Sequence, residues 1–198
     1  MPSLGGPFDS AAQFFNALTH KIKYPYRENV IRERTPPDLV EEVLQSIRSL
    51  PARLEEFARK CHFREGPFPL FHTDFYTSNM IIDEQFNLLA VIDWEDAIIA
   101  PWELVEFAKE LSIVPPAMDG PLYRDTEAKR QLNAERGEYI EIARKVEMRR
   151  GLDNRLSSTL ANSAVQNFAH AMWLYEDGRI GFYDLVMRDI MNKIPSLW

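Results

Sequence analysis

The sequence predicts a mainly helical domain, α+β overall, covering residues 1–198 as one unit with a single small β-hairpin embedded in it. Two observations carry that fold class. Apolar residues recur at helical spacing behind capping residues on both sides of the chain's middle, between residues 9 and 60 and again between 126 and 191. In between, Met80-Ile81-Ile82 and Leu88-Leu89-Ala90-Val91-Ile92 are short apolar runs flanking the polar stretch Asp83-Glu84-Gln85-Phe86-Asn87, which is the pattern of a hairpin. No internal repeat or low-complexity segment argues for a second core.

Taken in chain order, Asp9 and Ser10 cap a first helix carrying Phe14, Phe15 and Leu18. Thr35-Pro36-Pro37-Asp38 opens another, with Leu39, Val43, Leu44 and Ile47 on one face. Pro51 is expected to break or kink it, and helix resumes from Arg53 to Lys60 with Leu54 and Phe57 facing inward. Gly66-Pro67-Phe68-Pro69 turns the chain into the hairpin region. Beyond the hairpin, Pro101 followed by Trp102-Glu103-Leu104-Val105-Glu106-Phe107 predicts a helix start, with Trp102 and Phe107 as core candidates. Residues 114–121 read as a surface loop, and the charged stretch 126–149 as one helix or as two divided at Gly137. A single amphipathic helix is expected over 154–175, stopped at Gly178, and a last helix over 182–191. His170 belongs to packing or surface, because no second His or Cys of metal-ligand type accompanies it.

The chemistry concentrates in residues 71–96. Asp74 and Asn79 are separated by four residues, the spacing of a kinase catalytic loop, in which the Asp faces an acceptor hydroxyl and the Asn binds magnesium. Asp93 closes the second apolar run of the hairpin. A hairpin brings its outer ends together, so the oxygen ligands of Asn79 and Asp93 would converge beside Asp74, which is what a magnesium site needs. Taken alone, Asp74 and Asn79 are better read as turn or cap residues; the hairpin, the apolar run into Asp93 and the aromatic-acidic block beyond it shift the reading to a site. Glu95 and Asp96 complete an acidic cluster, as solvated or capping residues first and as metal-assisting or substrate-facing residues second.

The run His72-Thr73-Asp74-Phe75-Tyr76-Thr77-Ser78-Asn79, followed by a hairpin and Ile92-Asp93-Trp94-Glu95-Asp96-Ala97, resembles the catalytic segment of the aminoglycoside phosphotransferase and choline kinase-like family, its fungal members especially. Thr73 and Tyr76 stand where the family's usual wording has Gly and His. The resemblance implies the helical C-terminal lobe of the protein kinase-like fold and transfer of the ATP γ-phosphate to a hydroxyl of a small molecule of unknown identity. It implies Asp74 as base or hydroxyl-orienting group, Asn79 and Asp93 as ligands of Mg2+, and His72 as a structural residue bonding the backbone near Asp93. The family's nucleotide lobe, with its Gly-rich loop and strand-borne Lys, is expected to be absent, because residues 1–71 read as helices and Gly5, Gly6 and Gly66 form no phosphate-loop pattern. A truncated, catalytically inactive pseudokinase-type binding module is the alternative expectation.

Composition narrows the partners. A net charge of −7 and a pI near 5.2 argue against nucleic acid as a partner. No apolar run spans a membrane, and residues 1–10 lack a signal-peptide core. The single cysteine, Cys61, excludes an intrachain disulfide and suits a reducing compartment, so a cytoplasmic location is expected. Oligomeric state is not encoded in any visible pattern.

Overall fold

The computed structural model describes residues 4–60 and 66–193; Cys61 lies outside the described residues. Helices dominate, with two small antiparallel sheets. The first helix, α1 (Ala11–Lys21), starts where expected, with Ser10 as its N-cap accepting from the Gln13 amide. A short helix that the sequence pattern did not announce follows, α2 (Glu28–Arg34). Next comes α3 (Val40–Lys60), which runs unbroken through Pro51.

That continuity corrects the expected break, and its reason is visible. Proline has no N–H, so the Ile47 carbonyl loses its helical donor. The hydroxyl of Tyr175, more than a hundred residues downstream, donates to Ile47 O at 3.2 Å and satisfies it. A tertiary contact thereby supplies what the local sequence took away.

The hairpin region holds four strands. Leu70–Phe71 (β1) pairs antiparallel with Ile98–Ile99 (β4), in the register Leu70 to Ile99 and Phe71 to Ile98. Met80–Ile82 (β2) pairs with Leu88–Val91 (β3), with Met80 opposite Val91 and an irregularity between Ile81 and Ile82. The hairpin matches the sequence reading; the β1 to β4 pair was not anticipated.

The helix expected after Pro101 is absent. Only a 3-10 turn forms at Trp102–Leu104, and a second at Lys109–Leu111. Residues 103–107 are all buried, so no amphipathic face exists to define a helix. Their carbonyls are instead captured by side chains. Gln166 Nε2 donates to Val105 O at 2.8 Å, and Trp173 Nε1 to Leu104 O at 3.4 Å. Phe107 is core as expected, whereas Trp102 is half-buried.

Residues 114–121 are not a plain surface loop. They contain the short helix α4 (Pro116–Asp119), which buries Met118 completely. Helix α5 (Glu127–Arg150) is one continuous 24-residue helix, capped by Thr126 and ended by Gly151 in the left-handed conformation. Gly137 sits within it with open space around the position a Cβ would take. The single helix expected over 154–175 is two, α6 (Arg155–Ala161) and α7 (Ser163–Glu176). The break falls at Asn162, whose side chain accepts from the Val165 amide as N-cap of α7. The last helix is α8 (Tyr183–Lys193).

The core is built where α1, α3, α7 and α8 meet. Phe15, Phe57 and Phe168 stack there, with ring centroids 4.6 to 5.7 Å apart. Ser46 of α3 accepts from the Asp184 amide at 2.8 Å, and Arg53 pairs with the Asp184 carboxylate at 2.9 Å, which locks α8 onto α3. No described helix is long and apolar enough to cross a membrane.

Candidate functional site

The site is assembled at the hairpin's open end, where Asn79 enters β2 and Asp93 follows β3. His72 leaves β1, and its ring nitrogen Nε2 lies 2.9 Å from the Ile92 carbonyl. A carbonyl only accepts, so Nε2 carries the proton and Nδ1 is left to accept from the Asp74 amide at 3.3 Å. One imidazole thus ties the start of the loop to the end of β3. The Trp94 ring packs edge-on against it at 4.8 Å.

Asn79 is buried as well, 9% exposed. It ends the 3-10 turn Thr77–Asn79 and leads into β2. Its Nδ2 donates to Asp74 O at 2.8 Å and to the Asp74 carboxylate at 3.2 Å, so Asp74 and Asn79 are in contact. The amide nitrogen is committed to Asp74, which leaves Oδ1 as the group's remaining oxygen. Asn79 O also accepts from the Ile92 amide at 2.9 Å, and this bond delivers Asp93 to the same end of the hairpin.

Asp93 has φ +65°, in the left-handed region, where Asp and Asn are tolerated better than other side chains. Asp93 lies two residues beyond the end of β3. Among the described residues the Asp93 carboxylate has no hydrogen-bond or ion-pair partner. Asp74, Asp93, Glu95 and Asp96 are all exposed, and none forms a salt bridge within the described residues. Residues 65–108 contain no Lys or Arg at all, so this acidic surface has no cation from its own segment. The Asp96 contribution visible here is its carbonyl, which accepts from Thr73 Oγ at 3.1 Å.

The donors are hard oxygens, the type that suits Mg2+. Among the described residues no group of three or more His, Cys, Asp or Glu side chains could hold a metal ion. A cation here would therefore rest on two carboxylates and one amide oxygen at most, and would need oxygens from phosphate or water to complete its shell.

Three residues outside the expected set hold the loop. Glu110 accepts from both the Thr77 amide, at 2.6 Å, and the Thr77 hydroxyl, at 2.7 Å. Burial raises the Glu110 carboxyl, but the Thr77 bonds together outweigh it and hold the group below the usual carboxylate range. The Lys109 amide donates to Phe75 O at 2.9 Å. The buried Glu106 carboxylate reaches His170 Nδ1 of α7 at 2.5 Å and Lys109 Nζ at 3.3 Å. His170 is thus packed and paired. No local spacing signals these residues, since Glu110 lies 33 positions from Thr77.

The phosphotransferase enzyme family matches residues 20–103, a stretch that includes His72, Asp74, Asn79 and Asp93. This bears out the resemblance carried by the loop and hairpin. Neither curated proteins nor solved structures give a match.

Proposed function

Starting from a segment that matches the phosphotransferase enzyme family, we propose that this chain acts in ATP-dependent phosphoryl transfer to a hydroxyl group of a small molecule, as a helical kinase-like lobe. The observation that carries the reading is the direct contact of Asn79 with both the carbonyl and the carboxylate of Asp74, at the hairpin end that also bears Asp93.

Each residue has a role that follows from its position. Asp74 is exposed and acceptor-only when ionised, so it orients the substrate hydroxyl and takes its proton. Asn79 keeps the Asp74 carboxylate in one orientation through Nδ2. Asn79 through Oδ1 and Asp93 through its carboxylate are the residues that would hold Mg2+, which when bound offsets the charge of the nucleotide phosphates. His72 sets the spacing between the loop and the end of β3. That the exposed Asp74 and Asp93 carboxylates have no salt-bridge partner among the described residues supports the metal assignment, since an unpaired negative charge favours a cation.

Calorimetric titration of the chain with Mg2+ and ATP tests this. Binding is expected in the wild type, with loss of at least tenfold in affinity in Asp93→Ala, the scale of one charged ligand. Equal binding by both proteins, or none by either, would overturn the assignment.

A further inference from the structure

We infer that Glu110 is a positioning residue for this site, acting through Thr77 to fix the turn that presents Asn79 to Asp74. The inference rests on the phosphotransferase reading of that loop for its functional meaning, and on geometry for its mechanism.

A 3-10 turn leaves its first amides without internal partners. Here the turn begins at Thr77, and the preceding Tyr76 supplies no side-chain cap. A single oxygen of Glu110 takes both the Thr77 amide and the Thr77 hydroxyl. A charged acceptor engaging two donors of one residue fixes that residue's rotation as well as its position. On the other side of Tyr76, the backbone amide of Lys109 holds Phe75 O. Two successive residues of one turn, Lys109 and Glu110, therefore grip the loop on both sides of Tyr76.

The grip is anchored in the core. Lys109 Nζ bonds Glu106, and Glu106 bonds His170 on α7. At its far end the turn is closed by its own backbone, with Asn79 N on Tyr76 O at 3.0 Å and the Met80 amide on Thr77 O. Without Glu110 the turn keeps its hairpin end and loses its start. The Asn79 side chain would then sample orientations that no longer meet Asp74.

The test uses the full chain in two arms. In the first, amide exchange is followed without ligand. Glu110→Ala is expected to speed exchange at Thr77 and Asn79 about tenfold, the scale of one charge-assisted hydrogen bond, while α3 and α7 amides keep their rates. Glu110→Gln retains an oxygen acceptor and is expected to restore most of the protection. A rise shared equally by the whole molecule, no rise at all, or a glutamine variant as fast as alanine would each overturn the inference. In the second arm Mn2+ with ATP is titrated by electron paramagnetic resonance, and Glu110→Ala is expected to bind several-fold more weakly. Unchanged affinity would overturn the positioning role. Failure of the wild type to bind Mn2+ with ATP counts against the phosphotransferase reading alone, and the exchange arm still decides the role of Glu110.

Discussion

The helical core and the hairpin segment are held together by different physics. Around α3 and α7, Phe15, Leu50, Leu54, Phe57 and Phe168 are fully buried and the interaction is removal of apolar surface from water. Across residues 70–99 the apolar side chains point largely outward: Phe86 is 90% exposed, Leu89 64% and Ile99 68%. That segment keeps its shape through directed hydrogen bonds, from His72 to Ile92, from Asn79 to Asp74, and from Thr77 to Glu110. Burial tolerates no loss of volume but is indifferent to direction. Hydrogen bonds specify direction, and a site that must aim oxygen atoms needs them.

The contrast can be broken most severely at Phe57. Its ring packs at 4.6 Å on Phe168 and 5.4 Å on Phe15, so Phe57→Ala is expected to destabilise the fold by about 3–5 kcal/mol, read as a lowered denaturant midpoint. A cost under about 1 kcal/mol would show that the aromatic cluster is not the keystone of the core.

A smaller effect sharpens the comparison, because it places a directed bond inside the core. Tyr175→Phe leaves the Ile47 carbonyl without a donor, at an expected cost of about 1–3 kcal/mol. In a Pro51→Ala background the helix can supply that donor itself, and the same substitution is expected to cost less. The phenol adds a pH signature. Burial pushes Tyr175 up to about 12, above its ordinary value near 10. The folded state therefore favours the neutral phenol. Its contribution is fully present below about pH 10 and is lost as pH rises toward 12, so Tyr175→Phe is expected to flatten the alkaline loss of stability. Equal cost in both backgrounds would remove the link to Pro51.

The smallest effect is expected in the hairpin segment. Leu89→Ser alters a largely exposed strand residue, and stability is expected to change by no more than about 0.5 kcal/mol in the same denaturation measurement. A loss comparable to that of Phe57→Ala would mean that the hairpin contributes to the core after all.

Much of this molecule is legible in its amino-acid pattern. Ser10 as a cap, the inward face of α3 and the hairpin over 80–91 follow from local propensity and period, and the fold contains each of them. The contact of Asp74 with Asn79 follows from their spacing and the turn between them. Four local expectations fail, two of them for a common reason. Pro51 does not break α3, residues 102–107 do not become a helix, Met118 is not in a surface loop, and Asn162 splits a helix whose period looks continuous. At Pro51 and at 104–105 a distant side chain satisfies a backbone group that local rules leave orphaned or assign elsewhere. Tyr175 reaches Ile47, while Gln166 and Trp173 reach Val105 and Leu104.

The sequence by itself determined where the candidate oxygen donors stand in the chain, where the hairpin lies, and which family pattern residues 20–103 fit. The tertiary structure decided what holds the loop that bears them: Glu110 on Thr77, Lys109 on Phe75, and the buried Glu106 and His170 pair behind them. Partners 33 and 64 positions apart leave no trace in a local period, because their hydrogen bonds exist only once packing has brought their elements together.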